Sequence, residues 1–271
     1  MNRAPKTYDV DHDAERDFYD ARAVAGLRSV VTHPCLTEQI IPWNYRFFFD
    51  VLAERIGGLD HLAGKRVLDC GCGTGKLSVL LAKWGAVVTA FDISPKSIEI
   101  CRQVAEKSQV EDRVKAEVAV FEDLNYPRAS FDLIVGLSIL HHVDIHGAMR
   151  QVHRLLKPKG FGLFWENSDR NPIIRILHRY ARRLHVKKTG TPTERILGWY
   201  DLQVIRKEFG LGFRVYPAPF FFFSLAKEHL FQSRLKSFGR LLEELDRFIS
   251  QKSPCLRPYS FHQVILVRGS S

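Results

Sequence analysis

The chain has 271 residues, of which 45% are hydrophobic and 26% charged, so it is long enough and apolar enough to bury a core. These values exclude a disordered chain, a collagen-like repeat and a small disulfide scaffold, and no apolar run approaches the roughly 18 residues of a membrane span. Five cysteines without paired spacing, and an N-terminus without the apolar stretch of a signal peptide, predict a cytoplasmic protein.

The net charge of +10 is unevenly distributed along the chain. Residues 1–167 contain 21 Lys and Arg against 22 Asp and Glu, whereas residues 168–271 contain 19 against 8. The whole basic excess therefore belongs to the second segment. A hypothesis of contact with nucleic acid or with an anionic membrane surface therefore has to be tested against that segment alone.

The predicted elements begin with a mostly helical segment from about His12 to Gly57. From Lys65 onwards, short apolar runs alternate with helical patterns, which predicts a doubly wound α/β core. The predicted strands are Arg66–Asp69, Val87–Asp92, Val114–Val120, Asp132–Leu137 and Gly160–Glu166, and the predicted helices between them are Lys76–Lys83, Pro95–Lys107 and His146–Leu156.

After this core the sequence predicts a lid and the last strands. The segment Ile173–His185 separates apolar and basic residues onto opposite faces of a helix over nearly four turns. Further helices are predicted at Tyr200–Phe209 and Leu230–Ile249, a broken strand at Phe213–Phe223 and a closing strand at Phe261–Val267. We therefore expect an N-terminal helical segment (1–59), a core (60–167), and lid insertions with the last strands (168–271).

The turn Asp69–Gly75, with the sequence DCGCGTG, follows the first strand and opens a helix. Its glycines let the backbone lie against a ligand, and the helix N-terminus offers N–H groups to that ligand. The G-x-G-x-G spacing departs from the G-x-G-x-x-G of dinucleotide binders, and Leu77 after Gly75-Lys76 excludes a P-loop. Asp92 ends the second strand, where a carboxylate accepts hydrogen bonds from a ribose. The charge of Asp69 suits a sulfonium or ammonium better than a pyrophosphate.

These motifs resemble those of class I S-adenosylmethionine-dependent methyltransferases, in the group that includes ubiquinone- and menaquinone-biosynthesis-like small-molecule methyltransferases. The resemblance covers roughly residues 60–167. The matching motifs are Asp69–Gly75, Phe91–Ser94, Phe131–Val135 with Ile139–Val143, and Leu155–Gly160. It implies a seven-stranded Rossmann-like sheet whose last strand is antiparallel, and S-adenosyl-L-methionine as the cofactor.

The resemblance also implies the cofactor-binding residues. Val120 stands where related families often carry an acid that contacts the adenine amine, so the Phe121 backbone and the Glu122 side chain are expected to replace it. Cys70 and Cys72 are expected to be packed thiols, because their spacing inside a glycine turn gives poor tetrahedral metal geometry. The predicted cofactor-binding residues are Asp69, Gly71, Cys72, Gly73, Gly75, Asp92, Ile93, Phe121, Glu122 and Leu137, with no metal ligand.

Three further side chains are predicted to be catalytic. His141 and His142 follow the fourth strand and Glu166 ends the fifth, at the edge where open α/β sheets bind ligands. A hydroxyl acceptor must lose a proton during methyl transfer, and histidine suits this task at neutral pH. For each of the three, a purely packing or hydrogen-bonding role is the alternative.

The predicted activity is methyl transfer to oxygen of a small-molecule or lipid-like acceptor, with acceptor choice made by the segments outside the core. The basic face of Ile173–His185 also allows peripheral contact with an anionic membrane. A nucleic-acid methyltransferase is one alternative, although Gly136–Ile139 lacks the Asn/Asp-Pro-Pro-aromatic motif of amino-methylating enzymes. A non-catalytic protein that binds S-adenosylmethionine is the other.

Overall fold

The structure, a computed structural model, describes residues 10–31, 43–172, 196–219 and 236–269. The predicted helix Ile173–His185 lies outside the described residues, as do Phe220–Phe223 and the first six residues of the predicted helix Leu230–Ile249. Within the described ranges, no helix is both long and apolar enough to cross a membrane.

A seven-stranded sheet forms the scaffold, with strand order β3-β2-β1-β4-β5-β7-β6. Strand β7 runs antiparallel to both of its neighbours, whereas the other strand pairs are parallel. This confirms the predicted Rossmann-like sheet with an antiparallel last strand. The strands are β1 (Arg66–Cys70), β2 (Val87–Asp92), β3 (Val114–Val118), β4 (Phe131–Leu137), β5 (Leu156–Asn167), β6 (Arg214–Pro217) and β7 (His262–Arg268).

The helices follow the predicted order, with ends that differ by a few residues. They are α1 (His12–Val31), α2 (Trp43–Ile56), α3 (Lys76–Lys83), α4 (Pro95–Lys107), α5 (Ile145–Leu155), α6 (Trp199–Phe209) and α7 (Lys236–Lys252). Ser94 caps α4 as its sequence predicts, because its side chain accepts a hydrogen bond from the Ser97 amide and Pro95 occupies the first helical position. Strand β3 ends at Val118, two residues earlier than predicted, since the chain then turns into a 3-10 helix at Phe121–Asp123.

Two apolar cores lie on opposite faces of the sheet. Val67 and Val135 point into the core that contains side chains of α2, α3 and α4, whereas Leu68 and Ile134 point into the core shared with α5 and α6. Because successive strand residues face opposite sides, a strand covered on both faces needs a continuous apolar run. This explains why the central strands show no alternating pattern in the sequence.

The order of the strands reverses between β1 and β4, and this places a crevice at their carboxyl ends. The glycine turn after β1 and the loop after β4 therefore face each other. Both predicted groups of site residues lie at this edge of the sheet.

Asp132, on β4, connects this strand to both of its neighbours in the sheet, β1 and β5. Its Oδ2 atom accepts hydrogen bonds from the Arg66 amide on β1 (2.9 Å) and from Lys157 Nζ on β5 (2.8 Å). Partial burial raises the pKa of Asp132, but these bonds lower it, and the net effect is a pKa below the ordinary value. The stabilisation is therefore present above about pH 4 and is lost as the pH falls through the folded-state pKa.

We expect Asp132→Ala to lower the free energy of unfolding by about 1–2 kcal/mol at pH 7, and by less at pH 3. Urea denaturation at the two pH values measures the difference. Asp112→Ala removes the same charge from an exposed position and should change stability little. An equal loss at both pH values in Asp132→Ala would contradict the role of the ionised carboxylate.

Candidate active site

The three glycines of the turn after β1 all have positive φ, but they are required for different reasons. A Cβ atom on Gly71 would lie 2.5 Å from Ile139 Cδ1, and one on Gly75 would overlap Cys101 Sγ. Nothing lies within 4 Å of the Cβ position of Gly73. Contacts within the protein therefore explain why Gly71 and Gly75 must lack a side chain. Gly73 instead exposes its backbone to an open space that a ligand can enter.

Asp92, at the end of β2, holds this turn in shape. Its Oδ2 accepts a hydrogen bond from the Gly73 amide (2.8 Å) and its Oδ1 accepts one from the Ser94 amide (2.9 Å). Each carboxylate oxygen has a second lone pair, so ribose hydroxyls can still donate to it. Burial raises the pKa of Asp92, the two amide bonds lower it, Asp20 raises it and His142 lowers it, with a net upward shift.

Asp69, at the end of β1, is buried beneath the same turn and is 1% exposed. Its Oδ2 accepts a hydrogen bond from Ser78 Oγ (2.5 Å). Burial raises the pKa of Asp69 to about 7; the Ser78 bond opposes this shift and the neighbouring Asp92 adds to it. A nearby cation would favour the ionised form, which agrees with the sulfonium preference expected from the sequence.

The two cysteines of the turn are protonated thiols at neutral pH. Burial, with a smaller contribution from Asp69, raises the pKa of Cys70. A side-chain hydrogen bond with Cys101, together with burial, raises the pKa of Cys72. Since metals bind the thiolate form, this environment agrees with packed thiols rather than ligands.

The remaining residues predicted to bind the cofactor lie at the ends of β2 and β4 and in the 3-10 helix after β3. The Phe121 ring packs on Phe91 in the core (centroids 5.3 Å apart), so only its backbone is suited to serve a ligand. Glu122 Oε1 accepts a hydrogen bond from the Asp144 amide (2.6 Å). Its Oε2 is buried, without a hydrogen-bond partner among the described residues, and is suited to accept from an amine. Ile93 and Leu137 are half-buried at the ends of β2 and β4.

Glu166 and His141 form a buried pair at the end of β5. Glu166 is fully buried, and its Oε1 accepts from the Ile139 amide (2.8 Å) and the Leu140 amide (2.7 Å). Its Oε2 lies 2.7 Å from His141 Nδ1. An ionised carboxylate only accepts, so Nδ1 donates and the lone pair of the neutral ring is on Nε2. Glu166 is thus suited to orient His141 rather than to contact an acceptor.

His142 faces helix α1 with both ring nitrogens. Its Nε2 is hydrogen-bonded to Tyr19 OH (2.8 Å), and its Nδ1 lies 3.2 Å from Glu15 Oε2. The His141 and His142 rings are neighbours, with centroids 4.1 Å apart. The sequence did not distinguish the roles of the two histidines, but their partners differ. His141 is paired with the Glu166 carboxylate of β5, whereas His142 contacts helix α1.

Part of α1 reaches this edge, which the sequence did not predict. The N-terminal helices were predicted to contribute to acceptor choice, without a role for Glu15, Tyr19 or Asp20. Asp20 accepts hydrogen bonds from Ser94 Oγ and from the Lys96 amide (3.1 Å for the latter). Acidic residues occur on both faces of α1, so their helical spacing alone did not indicate which of them turn inward.

A third histidine, His262, begins β7 and was also missed. Its ring stacks on Trp165 (centroids 5.0 Å apart, 22° between planes). Burial, with His141 nearby, lowers the pKa of His262 to about 4, so the ring is neutral at pH 7. Only the pairing of β7 with β5 brings this residue to the site, which no local pattern indicates.

Residues 67–160 match the family described as methyltransferase domain. This segment includes the glycine turn, Asp92 and both histidines that follow β4. The core of the chain therefore matches a methyltransferase domain over residues 67–160.

Curated relatives of the methyltransferase domain are themselves methyltransferases. The 27-O-demethylrifamycin SV methyltransferase of Amycolatopsis mediterranei is 42% identical over 112 residues, which is 40% of this chain and 41% of that protein. A ubiquinone biosynthesis O-methyltransferase of Methylocella silvestris is 40% identical over 100 residues, covering 36% and 38%. One from Klebsiella pneumoniae is 29% identical over 177 residues, covering 61% and 71%. The chain thus spans about two fifths of the length of the first two relatives.

Solved structures extend the similarity of fold beyond the methyltransferase domain. The [4+2]-cyclase SpnF superposes with a TM-score of 0.62 at 19% identity, covering 99% of both chains. Magnesium protoporphyrin IX methyltransferase from Synechocystis PCC 6803, solved with bound S-adenosylhomocysteine, superposes with a TM-score of 0.58 at 17% identity. The superposition covers 96% of this chain and 100% of that one. At these identities the likeness concerns the fold alone.

The raised pKa of Asp69 predicts how stability depends on pH. Between the unfolded value of 3.8 and the folded value of about 7, the native state binds the extra proton, so stability falls as the pH rises through this window. In the ligand-free parent protein, the free energy of unfolding should therefore fall between pH 5 and pH 8. We expect this fall to be roughly 2–4 kcal/mol larger in the parent than in Asp69→Asn, which has no titrating carboxyl at this position. Urea denaturation at several pH values measures this. The exposed Asp60→Asn variant is the control, and an unchanged pH dependence in Asp69→Asn would contradict the assignment.

Proposed function

We propose that the protein transfers a methyl group from S-adenosyl-L-methionine to a hydroxyl oxygen of a small-molecule acceptor. The observation that carries this proposal is a carboxylate-oriented imidazole, His141, in the loop after β4 that packs against the glycine turn. Ile139 joins the two parts, because its side chain packs on Gly71 while its amide donates to Glu166. Donor and base are thereby expected to meet at one edge of the sheet.

The described residues fit the proposed cofactor. Gly73 leaves room against the backbone, Asp92 retains lone pairs for a ribose, and Asp69 gains from a nearby positive charge. When bound, S-adenosyl-L-methionine supplies an electrophilic methyl group on a positively charged sulfur. The predicted cofactor-binding roles of Ile93, Phe121, Glu122 and Leu137 belong to the same proposal, with Phe121 and Glu122 at the adenine.

His141 is proposed as the general base. Glu166 keeps Nδ1 protonated and the ring fixed, so that Nε2 is the atom that takes the acceptor's proton. His142 is held by α1 instead, with Tyr19 OH hydrogen-bonded to its Nε2 and Glu15 Oε2 3.2 Å from its Nδ1. Alignment of donor and acceptor within the crevice supplies the rest of the rate enhancement.

Oxygen as the methylated atom is supported by the curated relatives, two of which are named O-methyltransferases. These relatives do not favour the nucleic-acid alternative. The ring of His262, neutral and stacked on the buried Trp165, is proposed to border the acceptor side of the crevice near His141. A lipid-like acceptor, contact of Ile173–His185 with an anionic membrane, and a cytoplasmic location remain predictions from the sequence.

The glycine turn gives a direct test of cofactor binding. Gly73→Val should abolish micromolar-range binding of S-adenosyl-L-methionine, because the added side chain fills the space left for the ligand. Gly210→Val is the matched control: Gly210 has the same φ of 51° and equally open surroundings, but it lies at the end of α6. Isothermal titration calorimetry compares the two folded variants. Unchanged binding in Gly73→Val would remove the proposed cofactor site.

Catalysis is tested by transfer of a labelled methyl group to a panel of phenolic and aliphatic hydroxyl acceptors. His141→Ala should lower turnover about 10²–10⁴-fold with little change in cofactor affinity, and Glu166→Gln should also lower it because the ring loses its fixed tautomer. His153→Ala is the control, since His153 forms an equally short carboxylate pair with Glu208 (2.7 Å) at the α5–α6 contact. Near-normal turnover in both site variants would leave alignment alone as the mechanism. Cofactor binding without transfer to any acceptor would favour the non-catalytic alternative.

A further inference from the structure

Helix α1 contacts the edge of the sheet through polar side chains at helical spacing. His12, Glu15, Tyr19 and Asp20 recur at intervals that place them on one face of a helix. Glu15 is 3% exposed although it is a carboxylate. Among the described side chains of α1, Ala23 belongs to the buried apolar core. Among the described side chains, α1 thus contacts this edge mainly through hydrogen bonds and ion pairs, each of which contributes modestly to stability.

The first contact of α1 leads to the donor side of the site. Asp20 accepts from Ser94 Oγ, the Ser94 amide donates to Asp92, and Asp92 accepts from the Gly73 amide. These bonds form a continuous path from α1 to the open glycine. The position of Asp20 is thus linked to the shape of the turn on which the cofactor is proposed to lie.

The second contact leads to the acceptor side. Glu15 and Tyr19 face His142, whose ring lies against that of His141. His141 is in turn fixed by Glu166. Helix α1 therefore bridges the loop after β2 and the loop after β4, the two loops that border the crevice.

The charges along this bridge are unbalanced. Asp20 raises the pKa of Asp92, and Asp92 raises the pKa of Asp69, so these carboxylates repel one another. His142 offsets part of this repulsion at Asp92, whereas Lys96 Nζ is paired with Glu99 (2.5 Å). A positive charge placed in the crevice would relieve the repulsion and favour the docked helix.

We propose that α1 is a strap that closes on the positively charged methyl donor and loosens when the neutral thioether product has formed, with Asp20 and Glu15 as the residues that sense the charge. This inference rests on the proposed function. In that reaction the acceptor oxygen bonds to the methyl carbon, the electron pair of the broken carbon–sulfur bond stays on sulfur, and His141 takes the hydroxyl proton. Once His141 has released that proton to solvent, the crevice holds one positive charge fewer, and the carboxylates of α1 lose an attractive partner.

Asp20 acts as a positioning residue through Ser94. Its replacement by Asn removes the charge and keeps an oxygen that accepts from Ser94 and from the Lys96 amide. Asp17, on the same helix, is exposed and carries the same charge, so Asp17→Asn is the matched control.

The test compares dissociation constants of S-adenosyl-L-methionine and S-adenosylhomocysteine by calorimetry. We expect Asp20→Asn to weaken binding of the methyl donor about 5–10-fold and binding of the product less than about 2-fold. In Asp17→Asn both constants should stay within about 2-fold of the parent. Hydrogen exchange of the amides of residues 12–24 gives a second readout: in the parent the donor should protect them more than the product does, and this difference should disappear in Asp20→Asn.

Equal weakening of both ligands in Asp20→Asn, or equal protection of α1 by both ligands in the parent, would overturn the charge-sensing strap and leave the proposed function intact. If the parent bound neither ligand, the proposed function would fail together with the strap. A selective loss of donor affinity in Glu15→Gln, in a variant whose circular dichroism matches the parent, would support the inference independently.

Discussion

The site depends on a buried carboxylate that must satisfy its hydrogen bonds within the protein. Asp92 is 7% exposed, so each of its oxygens needs a donor, and the donors available are the amides of Gly73 and Ser94. Meeting this requirement fixes the glycine turn against the end of β2 and places Ser94 at the start of α4. The open side of Gly73 follows from this constraint.

A second buried carboxylate has the corresponding role on the other side of the crevice. Glu166 binds two backbone amides and His141, so one side chain sets both the loop after β4 and the orientation of an imidazole. Because an ionised carboxylate only accepts hydrogen bonds, the tautomer of His141 follows from the geometry. His142, next to it in the chain, is oriented by α1 instead. The two adjacent histidines are therefore oriented by different parts of the protein, His141 by Glu166 and His142 by α1.

The molecule thus combines a core that matches a known domain with segments that do not. The family match ends at residue 160, whereas α1 and β7 bring Tyr19, Asp20 and His262 to the same edge. The core carries the features proposed to bind the methyl donor, namely the open backbone of Gly73, the Asp92 carboxylate and the buried Asp69. The segments outside the core are predicted to choose the acceptor.

The sequence by itself determined the order of the core elements, the glycine turn and the strand-end positions of Asp69 and Asp92. Each of these depends on local chemistry: apolar runs, caps and left-handed turns are visible within a few residues. Tertiary structure alone decided that Gly71 is required by Ile139, that Glu166 orients His141, and that Asp20 reaches Ser94. These facts join residues 25 to 74 positions apart, and their partners are selected by the strand order and by the docking of α1. Helical spacing showed that α1 has acidic residues on both faces; only the packed chain showed which face turns inward.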